Sequence, residues 1–192
     1  MSTVAERKRR TFLEGRRTYI GGTDVAGILG ISPWSSPLQV WREKTNPVPE
    51  TDGGSLAMRR GLALEDFIAD EFTRAKPGLV TYRPKPVVRT DWGFPAGASV
   101  DRMVATMEHP RTPVAILEAK TAFKYGWRDW NEETGDLPAA YYIQQQWYLA
   151  VTELPLSYGA ADIGDPGALR IIPTRPDRRI QRRCIEAARE FW

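Results

Sequence analysis

Asp101, Glu118 and Lys120 are the residues of this chain whose types and spacing could do chemistry. Glu118 and Lys120 close the apolar stretch "VAILEAKTA". Residues i and i+2 of a β-strand point to one face, so the carboxylate and the ammonium share a face and Ala119 takes the other. A buried charge is costly unless it is paired or coordinates something. The ordinary account is a strand end emerging into solvent with a cross-strand ion pair. Asp101 ends "GASVD", after small residues at Gly97, Ala98 and Ser99, and precedes Glu118 by 17 positions. That interval fits a strand, a turn and the paired strand back. Two carboxylates side by side repel unless a proton or a divalent cation lies between them. Oxygen ligands with retained waters suit Mg²⁺ or Mn²⁺. Lys120 would then orient and polarise an attacking water, an arrangement that cleaves phosphodiesters. The pattern D-x(n)-E-x-K is loose, and the apolar strand running into it gives it weight.

Two helical segments bear on the same chemistry. At 100° per residue Glu65 falls between Ile68 and Phe72 on one side and Leu62 on the other, whereas Asp66 and Asp70 lie off that face. An acid among core residues is either buried with a partner or part of a site; a partly exposed helix end is the plainer account. In "PAAYYIQQQWYLAVTE", Ile143, Trp147, Ala150 and Leu154 form a core seam. Tyr141, Gln144 and Tyr148 form a second stripe at spacings of three and four, suited to lining a polar cleft.

The elements that must position these residues follow from period and punctuation. In "GGTDVAGILG" Thr23 is the expected N-cap and Gly30 the stop. A second helix starts at Ser36 and Pro37. A longer one covers 55–76 and ends at Pro77 and Gly78. Strands follow in "LVTYR", "PVVRT", "GASVDRMVAT" and "VAILEAK", the last two joined as a hairpin through "MEHPRTP". A helix over 138–152, strands near 156–163 and 168–172, and a closing helix from Pro176 complete a mixed α/β layer fold.

With 192 residues, 42% of them hydrophobic, the chain suits one well-cored domain over 1–192. Cys184 is the one cysteine and His109 the one histidine. Intrachain disulfides are excluded, thiolate metal clusters and nucleophilic triads lack their parts, and a reducing cytoplasm is the expected compartment. No apolar run approaches the ~20 residues of a membrane span, and "MSTVAERKRR" is no signal peptide. Net charge is +3, but arginines crowd both ends. Lys8, Arg9, Arg10, Arg16 and Arg17 lie at one; Arg170, Arg175, Arg178, Arg179, Arg182 and Arg183 lie at the other. Guanidinium forks suit phosphate, although a solvated face is the commoner reason for such runs.

Together these residues resemble the YqaJ-like viral recombinase family, which includes the phage lambda exonuclease, within the PD-(D/E)xK nuclease superfamily. "YIGGTDVAGILGISPW" is similar to the family's I-G-G-S-D-A-A block, with Thr23 for serine. "RGLALEDFIADEF" is similar to its R-G-x-x-x-E helix, "GASVDRMV" and "AILEAKTA" to its D and E-x-K strands, and "AAYYIQQQWYLAV" to its Y-x-x-Q helix. The resemblance spans about 16–151, with closing elements over 152–192, and implies a restriction-endonuclease-like core with a mixed central sheet flanked by helices. It implies metal ligation by Asp101, Glu118 and the Ala119 carbonyl, with Lys120 assisting the water and Glu65 and Gln144 completing the pocket. Arg16, Thr23 and Ser99 would bind a terminal phosphate, with Arg17 the alternative to Arg16 and Tyr141 beside them. Mg²⁺, replaceable by Mn²⁺, is the implied cofactor. The implied partners are double-stranded DNA ends, further copies in a trimeric ring, and a single-strand annealing protein.

The expected activity is metal-dependent 5′→3′ exonuclease action on duplex DNA in phage-type recombination. An endonuclease on the same core and a non-catalytic DNA-end-binding module are the alternatives. A covalently closed circle separates the first two.

Overall fold

The computed structural model describes residues 4–48, 55–122, 129–164 and 169–192. Its helices are α1 (Val4–Arg16), α2 (Gly22–Ile28), α3 (Pro37–Thr45), α4 (Leu56–Ala75), α5 (Ala139–Thr152) and α6 (Arg178–Phe191). Its strands are β1 (Leu79–Tyr82), β2 (Val87–Arg89), β3 (Ala96–Ala98), β4 (Arg102–Thr106), β5 (Pro113–Thr121), β6 (Ser157–Asp162) and β7 (Leu169–Thr174). Five strands form the central sheet in the order β1-β4-β5-β6-β7. All neighbours are antiparallel except β5 and β6. That parallel pair needs a crossover, and α5 supplies it.

The period-2 pattern of β5 decides which helix meets which face. Ala115, Leu117 and Ala119 pack with Ile68, Ala69 and Phe72 of α4. Ile116 joins Val25 of α2, Trp147 of α5 and Cys184 of α6 on the other side. Glu118 and Lys120 continue the Ile116 face, toward α5. With helices packed on both faces of the sheet, the Glu118 carboxylate is buried.

Several starts and stops fall where the sequence places them. Ser36 Oγ accepts from Gln39 N–H at 3.3 Å and Ser55 Oγ from Met58 N–H at 3.2 Å. Gly30 turns left-handed at φ 68° after α2. The cap of α2 differs from expectation. Gly21 holds that position, and Asp24 Oδ2 accepts the Gly21 N–H at 2.7 Å. Thr23 lies inside the helix, its hydroxyl accepting from Arg16 at 2.5 Å. Strand β7 runs on through Pro173 to Thr174, because on the sheet's edge a missing N–H breaks no ladder. Its expected start at Ala168, like the Lys8 side chain, lies outside the described residues.

The expected strand "GASVDRMVAT" is two strands in two sheets. β3 pairs with β2 in a separate ribbon, and β4 joins the main sheet. The cause lies in Gly97, where a Cβ would sit 2.2 Å from the Tyr19 ring. Ile20 bridges to Ala96 beside it, and Trp147 Nε1–H donates to the Gly97 carbonyl at 3.0 Å. Small residues let the chain press against Tyr19 and then turn at Ser99 to Asp101 into β4.

Cys184 is fully buried, and burial pushes its thiol up to about 11. The thiolate is the reactive form. Ellman's reagent at pH 8 should therefore leave the native chain unmodified and titrate one thiol after denaturation. Rapid native labelling would contradict the packing of α6.

Candidate active site

Glu118 is buried, and its carboxylate is held from two sides. Lys120 Nζ donates to Oε1 along the strand, and Gln144 Nε2 donates to the same oxygen at 2.6 Å from α5. Gln144 Nε2 also donates to Tyr148 Oη at 3.0 Å, and that hydroxyl donates to the Ser99 carbonyl at 3.1 Å. The Tyr141-Gln144-Tyr148 stripe thus faces the carboxylate. Tyr141 places its ring 5.1 Å from Lys120 Nζ, within range of a cation–π contact.

Burial, then repulsion from Asp101, pushes the Glu118 carboxyl well above its usual range despite Lys120. Burial alone would lower the Lys120 ammonium. The two carboxylates outweigh it and raise the group, so Lys120 stays charged.

Asp101 Oδ2 accepts the Ala119 N–H at 2.9 Å. Ile116 and Ala122 direct their N–H groups to the β6 side instead, at Leu156 and Asp162. An extended residue turns its N–H and C=O to the same edge, so the Ala119 carbonyl faces Asp101. Glu65 approaches from α4, with burial and then Asp101 raising its carboxyl against the pull of Arg83 and Arg102. Arg83 lies 3.1 Å from both Glu65 and Asp66. Arg102, only 5% exposed, contacts Asp66, donates to the Asp101 carbonyl at 2.6 Å and stands 3.9 Å from Glu65.

The donor set fits a hard cation. Glu118 Oε2 is buried and has no hydrogen-bond partner among the described residues, an orphan that a cation would satisfy. No three His, Cys, Asp or Glu side chains converge as a cage among those residues. Oxygen donors of this kind suit a hard cation that keeps several waters, such as Mg²⁺.

A cleft of about 360 Å³ opens beside Lys120, Tyr141 and Gln144, and Arg16, Thr23 and Trp34 form its other wall. Arg16 ends α1 and reaches Thr23 and Asp24 at 2.5 and 3.1 Å. Asp24 is fixed in turn by Lys44, whose ammonium also donates to the Arg16 and Tyr19 carbonyls at 2.6 and 2.8 Å. Arg17 points elsewhere, to the Thr45 carbonyl at 3.4 Å, and Ser99 lies outside the cleft lining. The sequence reading missed Asp24, Lys44, Arg83 and Arg102. Only Asp24 left a signal, as an acid three residues after a glycine cap.

The chain is 35% identical over 191 residues to YqaJ of Bacillus subtilis (strain 168), an alignment covering 98% of this chain and 56% of that protein. The chain thus spans about half the length of that curated relative. Its fold resembles the alkaline exonuclease LHK-Exo from Laribacter hongkongensis, with TM-score 0.66 and 18% identity over 94% of this chain and 89% of the other. The dAMP complex of LHK-Exo gives 0.67 and 17% over 92% and 87%, and SSO0001 gives 0.57 and 11% over 97% and 82%. These likenesses are of fold, and they bear out the expected mixed central sheet flanked by helices. Among the described residues no helix is long and apolar enough to cross a membrane. The family model for the YqaJ-like viral recombinase domain matches residues 11–155, from the end of α1 past the crossover helix, and the chain belongs to that family.

Proposed function

We propose that this chain is a metal-dependent 5′→3′ exonuclease acting on double-stranded DNA ends. One observation carries the reading: Glu118, Lys120 and Gln144 form a bonded set opening into a cleft whose other wall carries Arg16. The likeness of fold to LHK-Exo, an alkaline exonuclease also solved in complex with dAMP, supports the same class. Asp101, Glu118 and the Ala119 carbonyl would hold Mg²⁺ or Mn²⁺, which supplies Lewis-acid polarisation of the scissile phosphate. Lys120 holds the attacking water beside Glu118 and offsets the charge that develops. Gln144 fixes the Glu118 rotamer, and Glu65, steadied by Arg83 and Arg102, adds a third carboxylate near Asp101. Action on double-stranded DNA ends in the cytoplasm, in a trimeric ring and with a single-strand annealing protein, belongs to this proposal on family grounds.

Linear duplex labelled on each strand in turn, incubated with Mg²⁺, should lose its 5′ labels first while a covalently closed circle stays intact. A linearised circle would point to an endonuclease, and an untouched linear duplex to a binding module.

Arg16 gives this reading its polarity. A terminal phosphate carries more charge and more free oxygens than an internal diester, and a charge-assisted arginine contact exploits both. Hydrogen bonds to charged groups contribute about 1.5–3 kcal/mol, so 5′-phosphate ends should be degraded roughly one to two orders of magnitude faster than 5′-hydroxyl ends. Arg16→Ala should shrink that preference and Arg17→Ala should not. Equal initial rates on the two ends in the wild type would remove the phosphate pocket.

A further inference from the structure

Trp34 is 63% exposed yet held in one place. It sits in the loop between α2 and α3, where its N–H donates to Ser32 Oγ at 3.2 Å. Its indole stacks on Tyr141 with ring centroids 5.5 Å apart and 22° between planes. Tyr141 leans in turn on Trp130, at 5.7 Å and 41°, and Trp130 is 1% exposed. Three rings therefore form a column rooted in the core and ending in the cleft that Arg16 and Lys120 also line.

A large aromatic left this open forgoes the stabilisation of burial, and a soluble surface does not need it for solubility. A flat π face stacked on Tyr141, in a cleft where Arg16 and Lys120 stand alongside Glu43 and an Asp24 already paired with Arg16 and Lys44, has a natural complement in a nucleobase attached to a phosphate. Every base has a π face, so such a platform tolerates any sequence. That suits an enzyme that must take each nucleotide in turn.

We propose that Trp34 is a nucleobase platform: the terminal base of the bound strand stacks on its outer face and extends the Trp130-Tyr141-Trp34 column. The inference rests on the exonuclease reading, since it places that strand's phosphate against Arg16 and Lys120. Because the platform lies beside the reacting groups rather than among them, it acts by positioning the strand.

Binding is measured in the Lys120→Ala background, so that cleavage does not intervene, on 5′-phosphorylated duplexes with either 2-aminopurine or an abasic site at the terminal position. Trp34→Ala should weaken binding of the intact end by roughly five- to a hundredfold, the range of base–aromatic stacking, and abolish quenching of the 2-aminopurine. Trp34→Phe should restore most of both. On the abasic end Trp34→Ala should change nothing further, because the stacking partner is already gone. Equal loss on intact and abasic ends would mean that Trp34 only props Tyr141, and a shift in sedimentation mass that it contacts another copy of the chain. Either result overturns the platform while leaving the exonuclease reading standing. Failure of the Lys120→Ala chain to bind any duplex end overturns both.

Discussion

Lys120→Ala should cut turnover on linear duplex by about 10²–10³, the usual loss when one electrostatic partner of a transition state is removed, while DNA-end binding persists. The ammonium lies against Glu118 and 5.1 Å from the Tyr141 ring, and the surrounding carboxylates keep it charged. Removing one partner of a buried pair also costs stability. Here Glu118 keeps its Gln144 donor and can take up a proton, so the fold should survive. Circular dichroism melts identify the folded fraction, and single-turnover rates on that material give the catalytic loss. A rate within a few-fold of wild type would exclude Lys120 from the chemistry.

Asp101→Asn and Glu118→Gln should each weaken Mn²⁺ binding in calorimetric titrations by at least about tenfold, the lower end of what is lost when even an outer partner of a ligand is removed. A neutral amide is a poor ligand for a hard cation. The Asn variant can still accept from Ala119 N–H through its carbonyl oxygen, which leaves its NH₂ where the second oxygen stood. In Glu118→Gln the oxygen that changes hands is the one with no partner among the described residues, Oε2, or else the one that Lys120 and Gln144 already occupy. Either way the site loses a negative charge. Unchanged affinity in one variant would take that residue out of the ion's coordination.

What could be read from the sequence was whatever depends on local period. The shared face of Glu118 and Lys120 follows from the alternation of a strand, and the Tyr141-Gln144-Tyr148 stripe from helical spacing. Both meet in the structure because the crossover helix must pack on the face of β5 that continues from Ile116. The rest depends on contacts between distant segments. The break between β3 and β4 is set by Tyr19 pressing on Gly97, some eighty residues away. Arg102 lies in the expected strand "GASVDRMVAT" with nothing local to mark it, and its contact with Asp66 comes from how α4 packs on the sheet. Helix α1 carries too few apolar residues to show an amphipathic period. Thr23 satisfied every local rule for a cap, yet Arg16 claims its hydroxyl.

The Lys44 ammonium has three protons and three oxygen acceptors: two carbonyls at the α1–α2 junction and Asp24. Burial, chiefly, lowers this ammonium, and Asp24 works against that. In evolutionary terms the two positions form a locked pair. A lineage that neutralises Asp24 alone strands a cation in the interior, and one that neutralises Lys44 alone strands two carbonyls and leaves Asp24 dependent on Arg16. Each single step passes through a less stable intermediate. Joint retention or joint loss of the two charges is therefore the pattern that the contacts favour.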